Sequence, residues 1–463
     1  MARCDPVKGM IRTMTPAQAL AVFAVVCALV TLGATPDLMA RVLALSLAGI
    51  TLFATRALPE VVTAIATFLG FLAIGAAPPE LIFSGFSTSG FWLLIGGLVI
   101  GAAIGSSGLG DQVAVRIFAR TGSSYARAVW FLSLAGVGLG LLVPSAIPRV
   151  IVMMPITLAL ARTMGYAPGS PGHCGLTITA ACMTMVPTYA FLTANLPTIV
   201  ELGAIEVLYG TRIHFGTFFL QQAPINLVRF LVLLALLLPM GHRPPGQDEV
   251  ASQTTPLTRA QKRLLGLLIV AIGLWATDLW HGIAPAWVAL SAAMILLWPG
   301  FGVLPAQAMK TDIDLSIAFF IAAVFCISAV VTHSGLGGVL ADLVVPTLHL
   351  GEGNGLRDLF ALTAFSSVLS HLTTAPAAGV VLAPLAGPMA DATGWSVETI
   401  AMVQNIGFST TALPYQSPPL LIAIAMAQIP VWALTRICLL TTLFATLIGV
   451  PLTWAWWVWL GLI

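Results

Sequence analysis

The stretch from Ser84 to Gly110, SGFSTSGFWLLIGGLVIGAAIGSSGLG, decides the fold class of this chain. It contains no charged residue, and its apolar part is long enough to cross about 30 Å of hydrocarbon, which takes roughly 17–25 residues. The apolar residues follow one another without the alternation of a barrel strand. Because only helices and closed barrels satisfy their backbone hydrogen bonds in lipid, the stretch predicts a transmembrane helix.

The composition of the whole chain extends this prediction from one helix to many. Of the 463 residues, 59% are hydrophobic and 8% are charged, whereas a soluble domain carries about 25% charged residues. Apolar runs of spanning length recur from Met14 to the last residue. We therefore expect an all-α polytopic membrane protein that lies in a lipid bilayer and has no nucleic-acid partner.

The apolar runs predict about eleven transmembrane helices and two re-entrant helical hairpins. The spans are expected near residues 15–33, 38–56, 60–77, 90–107, 173–200, 214–240, 264–279, 284–299, 313–332, 397–427 and 431–460, and the hairpins at 128–164 and 356–391. Most Lys and Arg residues then fall on one side, so the positive-inside rule predicts a cytoplasmic N-terminus and an external C-terminus in the plasma or inner membrane.

A repeated motif divides the chain into two halves. Residues 106–110 read SSGLG and residues 333–337 read HSGLG, and in both halves a Pro-containing hairpin and a Pro-interrupted span follow. The first motif lies inside and the second outside in the predicted layout, which indicates two inverted repeats with broken helices at the midplane, as in secondary transporters. A chance match within Gly-rich helices is the alternative. The predicted units are scaffold helices 1–57, a first repeat 58–240, a cytoplasmic linker 241–263 and a second repeat 264–463.

The tips of the two hairpins are the first candidate binding elements. Ser145 lies ten residues before Pro155, and Thr374 lies ten residues before Pro384, so the two tips are equivalent by position. We expect the two arms of the first hairpin to be too short to span the membrane individually. A turn at membrane depth leaves helix N–H groups that need a ligand or other partner, and such helix ends favour anions. Back-bonding of the hydroxyls to helix carbonyls is the structural alternative.

The Pro-interrupted spans are the second pair of candidate elements. The first contains Thr193, Asn195 and Pro197, and the second contains the sequence LPYQSPP at residues 413–419. Three prolines within six residues cannot lie in an uninterrupted helix, because each removes a backbone donor and clashes with the preceding turn. The unwound backbone and the side chains of Thr411, Gln416 and Ser417 are therefore expected to line a cavity; a simple kink is the alternative.

These motifs together resemble the divalent-anion/sodium symporter family of the ion transporter superfamily. The resemblance rests on SGFSTSGFWLLIGGLVIGAAIGSSGLG, the VPS…PI hairpin and LPYQSPP, and it extends from about Leu58 to the C-terminus. In that family each hairpin tip carries Ser-Asn-Thr, which helps to hold a carboxylate and Na⁺. The matching triplets here are Ser145-Ala146-Ile147 and Thr374-Ala375-Pro376, so both tip asparagines and one hydroxyl of each triplet are missing. The resemblance also implies a homodimer.

Two ionisable residues near the tips offer a replacement for the missing asparagines. Arg149 and His371 each lie within a few residues of a tip, and an ionisable residue at that depth is a functional candidate by default. No acid lies on the central turn of either hairpin, so we expect Arg149 to face a bound anion; snorkelling or a buried acid partner is the alternative. His371 is a candidate proton carrier, because it titrates near neutral pH, although a structural histidine is the alternative.

The sequence therefore predicts a secondary active transporter that moves small anions, such as mono- or dicarboxylates or sulfate, by alternating access. The predicted substrate-binding residues are Ser145, Ala146, Ile147, Arg149, Thr193, Asn195, Thr373, Thr374, Gln416, Ser417 and Pro418. The only cofactor considered is Na⁺ as a coupling ion, and its predicted ligands are Ser145, Thr193, Thr374 and Thr411. His371 is the predicted site of a coupling proton. Coupling to Na⁺, coupling to H⁺ and exchange all stay open.

Two other classes of function are disfavoured by motifs that the sequence lacks. It contains no Walker sequence, which argues against ATP-driven transport. It contains no GxSxG, HExxH or clustered metal ligands, so an intramembrane enzyme is the weaker alternative, and we expect no enzymatic activity and no organic cofactor. A channel or an uncoupled anion permease is the remaining alternative, and saturation of transport distinguishes it.

Overall fold

A computed structural model of the chain describes residues 16–55, 57–109, 112, 124–143, 145–241, 256–300, 303–305, 307–308, 313, 315–351, 353–372 and 375–463. Helices account for most of these residues, as the composition predicted. The helices of the first half are α1 (Pro16–Ala34), α2 (Leu38–Thr55), α3 (Glu60–Ala73), α4 (Ser89–Ser107), α5 (Tyr125–Leu142), α6 (Ala146–Thr163), α7 (Pro171–Met183), α8 (Leu196–Tyr209) and α9 (Phe215–Leu237).

The second half runs through a similar series of helices. They are α10 (Arg259–Ala276), α11 (Pro285–Leu297), α12 (Ser316–His333), α13 (Leu336–Leu348), α14 (Gly355–Leu372), α15 (Ala375–Leu382), α16 (Ala386–Thr393), α17 (Val397–Phe408), α18 (Pro418–Ala427), α19 (Val431–Phe444) and α20 (Val450–Trp459). The sequence analysis missed α13, because its Gly-rich start and Pro346 near its end were taken for a connection between span and hairpin.

The surface of the molecule is apolar in the way that a lipid-facing surface must be. Large hydrophobic side chains point outward on many helices, among them Phe23, Leu343 and Trp432, each at least 66% exposed. In the described part of the chain, six helical segments are long and apolar enough to cross a membrane by length and composition. The all-helical membrane fold predicted from the sequence is therefore confirmed.

The two SGLG motifs end their helices in the same way. Gly108 after α4 and Gly335 after α12 both adopt left-handed backbone conformations, with φ of 63° and 81°, which only glycine adopts without strain. The serine before each glycine accepts a hydrogen bond from a backbone N–H two residues later, Leu109 N to Ser107 Oγ at 3.3 Å and Leu336 N to Ser334 Oγ at 3.5 Å. The motif therefore ends a helix with the same local structure in both halves.

Matching helices of the two halves pack across each other reciprocally. Helix α3 packs against α12, and α11 packs against α4. The second helix of the first hairpin, α6, packs against α18, and α15 of the second hairpin packs against α8. This exchange of partners is the pattern that a two-fold relation between the halves predicts, and it places the second helix of each hairpin against the helix that follows the break in the other half.

The arms of the first hairpin are longer than the sequence analysis expected. Helices α5 and α6 have 18 residues each, which is about 27 Å at 1.5 Å per residue. The expectation that each arm is too short to span is therefore wrong, because the residues before 128 extend α5 and Pro155 lies within α6 without ending it. Ser145, directly before α6, nevertheless lines the cavity described next.

Candidate functional site

A cavity of about 270 Å³ lies where the hairpins and the broken helices meet. One side of this cavity, the tip wall, is formed by Ser145–Ile147, Asn195–Pro197, Ala375, Thr411 and Gln416–Pro419. These segments come from four distant parts of the chain, and each was singled out in the sequence as a tip or a break. The structure therefore brings the sequence-predicted elements together around one space.

The opposite side of the cavity, the scaffold wall, is largely apolar. It is formed by Ile50 and Phe53 of α2, by Ile317, Phe320, Val324 and Ile327 of α12, and by Glu60, the first residue of α3. The rings of Phe53 and Phe320 pack edge to face with centroids 5.0 Å apart, a favoured geometry for aromatic pairs. A ligand in the cavity therefore meets polar groups on one side and, on the other, mainly hydrocarbon together with the acidic residue Glu60.

Four helices begin at the tip wall and direct their N-termini at the cavity. Helices α6, α8 and α18 start directly after Ser145, Asn195 and Ser417, and α15 starts at Ala375. Among the described residues, the side chains of Ser145, Asn195 and Ser417 make no capping hydrogen bond to the helices that they precede. First-turn N–H groups and the helix dipoles make such ends favourable for negative charge.

Prolines fix the two breaks that create these helix starts. Pro197 lies in the first turn of α8, and Pro418 and Pro419 open α18. Proline is accepted at this position, because the first helical N–H groups have no partner within the helix. The connecting segments before them contain one-turn 3₁₀ helices at Pro187–Ala190 and Pro414–Gln416. The breaks lie where the proline pattern predicted them.

Arg149 joins the first hairpin tip to the first break from behind the tip wall. Its side chain is 1% exposed and is absent from the residues that line the cavity. Its Nε donates to Ser145 O at 3.0 Å, and its Nη2 donates to Ala194 O at 2.7 Å and to Asn195 Oδ1 at 3.0 Å. Nη1 has no hydrogen-bond partner among the described residues. The guanidinium is thus one residue away from the cavity rather than on its surface.

Arg229 of α9 is a second buried arginine, which binds the second break, and the sequence analysis did not select it. Nη1 donates to Ser409 Oγ at 2.8 Å, and Nη2 donates to Ile406 O and Thr410 Oγ1 at 3.0 Å each. These acceptors lie at the C-terminal end of α17, where a positive charge is stabilised by the helix dipole. The signal was present in the sequence, because an arginine in the middle of an apolar span requires buried partners.

Neither arginine is neutralised by an acid in the part of the chain that the structure describes. The ion pairs found there join Arg212 to Glu206, His214 to Asp278 and Arg357 to Asp358. Tyr189, which lines the cavity, lies within electrostatic reach of both Arg149 and Arg229.

Two buried positive charges and four helix N-termini therefore surround the tip wall. The arrangement favours an anion in the cavity.

The remaining predicted residues of the breaks differ in their exposure to the cavity. Gln416 and Ser417 line it; the Gln416 Oε1 atom accepts a hydrogen bond from Leu413 N at 3.1 Å, and Ser417 Oγ donates to Met185 Sδ at 2.7 Å. Thr411 also lines it. Thr193 is buried outside the cavity lining, and its Oγ1 has no hydrogen-bond partner among the described residues.

The second hairpin tip is only partly described. Thr373 and Thr374 lie outside the described residues. His371 is half-buried, its Nδ1 contacts Ser367 O at 2.6 Å, and its backbone carbonyl accepts a hydrogen bond from Tyr415 Oη at 3.0 Å. His371 does not line the cavity, so the structure places it at the end of α14, beside the site rather than in it.

Comparisons with known proteins identify the family of this chain. The family model of the citrate transporter, CitMHS, matches residues 50–407. A membrane protein of Cupriavidus necator is 24% identical over 82% of this chain and 76% of its own length. The L-tartrate/succinate antiporter of Escherichia coli is 26% identical over a part that covers 42% of either chain.

A solved structure shows the same fold. The YdaH transporter of Alcanivorax borkumensis superposes with a TM-score of 0.58 at 17% identity, over 82% of this chain and 88% of that one. The predicted resemblance to anion transporters is confirmed by the family match, which spans most of the chain. The chain belongs to the citrate transporter family and is a membrane transporter of small anions, not an enzyme.

Proposed function

We propose that the protein carries a small di- or tricarboxylate by alternating access, with the anion bound in the cavity between the tip wall and the scaffold wall. The observation that carries the proposal is the convergence of four helix N-termini on one cavity. Carboxylates at opposite ends of a short carbon chain fit N-termini that approach from two hairpins and two breaks. The names of the citrate transporter family and of the tartrate/succinate antiporter support this substrate class.

The two unlike walls support a moving-module mechanism. The tip wall belongs to the hairpins and broken helices. Arg149 joins the first hairpin to the first break, and Arg229 joins α9 to the second break. The scaffold wall is formed mainly by α2 and α12 and offers apolar side chains. Movement of the tip module along an apolar surface breaks few hydrogen bonds, so exposure of the site to either side in turn is physically inexpensive.

Na⁺ is retained in this proposal as a coupling ion that the hydroxyls near the tips would hold. Ser145 and Thr411 line the cavity, and the Thr193 Oγ1 atom is buried without a hydrogen-bond partner among the described residues. Neutral oxygens of this kind, with carbonyls of the unwound segments, are the donors that Na⁺ takes in broken-helix transporters. Thr374 would contribute from the second tip. A proton on His371, as the sequence predicts, is the alternative coupling ion.

The orientation in the plasma or inner membrane and the homodimer are also proposals. With the N-terminus in the cytoplasm, a single cysteine introduced at Ser252 or Lys310 is labelled from the cytoplasmic side only, and one at Asn354 from outside only. Labelling of Ser252 and Asn354 from the same side would contradict the inverted repeat. Light scattering of the detergent-purified protein decides between monomer and dimer.

A thermal-shift screen of the purified protein tests the substrate class. Succinate, tartrate and citrate are expected to raise the Tm in a saturable way, because a ligand of the folded state stabilises it. Dimethyl succinate, which has the same skeleton without charge, is expected to have no effect. Each ligand is tested with and without Na⁺. A response to sulfate alone would remove carboxylates from the proposal, and non-saturable flux in liposomes would favour a channel.

A further inference from the structure

Glu201 is a fully buried carboxylate without the hydrogen bonds that every comparable group has. Among the described residues, the buried acids are Glu201, Asp278 and Asp358. Asp278 accepts from the backbone N–H groups of Phe215 and Gly216, and Asp358 accepts from Gly351 N at 3.2 Å and from its neighbour Arg357. In contrast, neither oxygen of Glu201 accepts a hydrogen bond from any described residue.

A second orphan acceptor lies next to this carboxyl group. The Asn405 side chain contacts the Glu201 carboxyl, but Asn405 Nδ2 donates to Thr198 Oγ1 at 2.9 Å. Asn405 Oδ1 has no hydrogen-bond partner within the described residues. A buried carboxyl group that receives no hydrogen bond and has an orphan acceptor beside it is stabilised by a proton of its own. If the amide were turned over, it would give Glu201 one donor and still no opposite charge.

The elements packed around α8 supply no positive charge to Glu201. Helices α4, α12, α15 and α17 contact α8, and their titratable residues in the described part are Cys326 and exposed His333 of α12 and Glu398 of α17. None of these donates to Glu201. On α8 itself, Glu206 is paired with Arg212, and Tyr209 donates to the carbonyl oxygens of Ala383 and Pro384.

Glu201 lies between two helices that both begin at the anion cavity. It is five residues after Leu196, where α8 starts, which places it about 7.5 Å along the helix axis. Gly379 of α15 lies directly over it, because a Cβ added at Gly379 would be 3.1 Å from the Glu201 Cβ. A displacement of the second hairpin that separates α15 from α8 therefore exposes Glu201 to the space that opens between these two helices.

We propose that Glu201, with Asn405 as its hydrogen-bond acceptor, is the proton-binding site that couples transport to a proton. The proposal rests on the proposed carrier function and deepens it. In the conformation described here the carboxyl is protonated and its O–H donates to Asn405 Oδ1. When α15 separates from α8, the O–H bond breaks, the proton passes to water, and the carboxylate stays behind, solvated. A bound anion near the start of α8 favours the protonated form, and by linkage the proton favours the anion.

Glu201→Gln tests the coupling in proteoliposomes, because the amide keeps the shape of the neutral acid. In the wild type, carboxylate affinity is expected to fall as the pH rises, by up to about tenfold per pH unit, the limit for one coupled proton. Glu201→Gln is expected to bind and exchange the anion with a flatter pH profile and to lose accumulation driven by a pH gradient. Ionisation of the substrate itself contributes equally to both proteins.

Three outcomes overturn the inference. A wild-type pH profile in Glu201→Gln would do so, as would transfer of the entire effect to His371→Gln, or a response of the wild type that depends on Na⁺ and not on pH. Glu206→Gln is the matched control, since it lies on the same helix in an ion pair and should keep the wild-type pH profile. Failure of the wild type to bind or exchange any carboxylate would instead remove the proposed function.

Infrared spectroscopy tests the protonated carboxyl without transport. The purified wild type at about pH 7 should show the C=O band of a neutral, buried carboxylic acid, and Glu201→Gln should lack that band. Asn405→Val should shift it, because the acceptor of the O–H is removed, which keeps a test available should Glu201→Gln fold poorly. Absence of the band from the wild type would overturn the inference even if carboxylate transport is found.

Discussion

Replacing Arg149 by lysine and by glutamine separates two ways in which this arginine can serve the anion. The structure places the guanidinium behind Asn195, with three hydrogen bonds to Ser145 O, Ala194 O and Asn195 Oδ1. Its forked donors therefore hold protein oxygens. Lysine keeps the charge and loses the fork, whereas glutamine loses the charge. The two variants therefore differ in anion affinity only if the positive charge acts on the anion from behind the tip wall.

The size of the expected difference follows from the distance. An anion that contacts Asn195 lies on the order of 7 Å from the guanidinium, where a unit charge contributes about 2 kcal/mol at an effective dielectric constant of about 20. That energy corresponds to about 30-fold in Kd for each negative charge of the ligand. Lysine should stay within about tenfold of the wild type, although a buried acceptor left without a donor costs about 1–3 kcal/mol of folding free energy in either variant.

Two measurements on each variant check this reasoning. Tm without ligand reports the loss of the hydrogen bonds, and the Kd for the carboxylate identified in the screen reports the loss of charge. Arg41→Gln is the control, because Arg41 also donates to two carbonyls, those of Thr35 and Leu32, but does so on the scaffold. Equal loss of affinity in Arg149→Lys and Arg149→Gln would mean that the fork binds the anion directly. Wild-type affinity in Arg149→Gln would refute the electrostatic argument altogether.

Three further substitutions, two of them with a matched control variant, test the packing and the lining of the site. Gly140→Ala should lower the Tm, since the added Cβ would be 2.4 Å from the nearest side-chain carbon and overpacking costs about 1–3 kcal/mol, whereas Gly138→Ala, with nothing within 4 Å, should be neutral or slightly stabilising. Ser417→Ala should reduce uptake with little change in Tm, while Ser46→Ala on α2 should leave uptake near the wild type; equal losses would mean that packing was mistaken for binding. Arg229→Gln should lower both Tm and anion affinity. Unchanged affinity would show that the charge of Arg229 does not help to bind the anion.

Much of the fold was accessible from the sequence because lipid imposes simple rules. Continuous apolar runs locate the helices, and prolines locate the breaks at 187–197 and 414–419, as the structure shows. Helix α13 was missed, because Gly337 and Gly338 near its start and Pro346 near its end are typical of a connection. The extent of α5 and α6 was underestimated, since the periodicity of an apolar hairpin does not mark where its arms begin.

The candidate site was predictable as a set of segments but not as a set of contacts. Position along the chain was enough to select the two tips and the two breaks. It could not show that Arg149 turns back onto Asn195 or that Arg229 reaches the end of α17, because such pairings depend on how distant helices pack. Glu201 was overlooked for the same reason. It stands out only because its neighbours in the fold give its carboxyl group no hydrogen bond, and the sequence does not show which residues those neighbours are.

Exchange of labelled carboxylate by purified protein in liposomes tests the central claim most directly, namely that the cavity at the four helix N-termini carries the anion. Liposomes that contain the wild type and are loaded with unlabelled succinate, tartrate or citrate should take up the labelled form in a saturable manner. Ala146→Trp, which fills the cavity at the start of α6, should abolish this uptake while the protein remains folded by Tm. Wild-type exchange in Ala146→Trp, or no saturable exchange of any of these carboxylates by the wild type, would contradict the account.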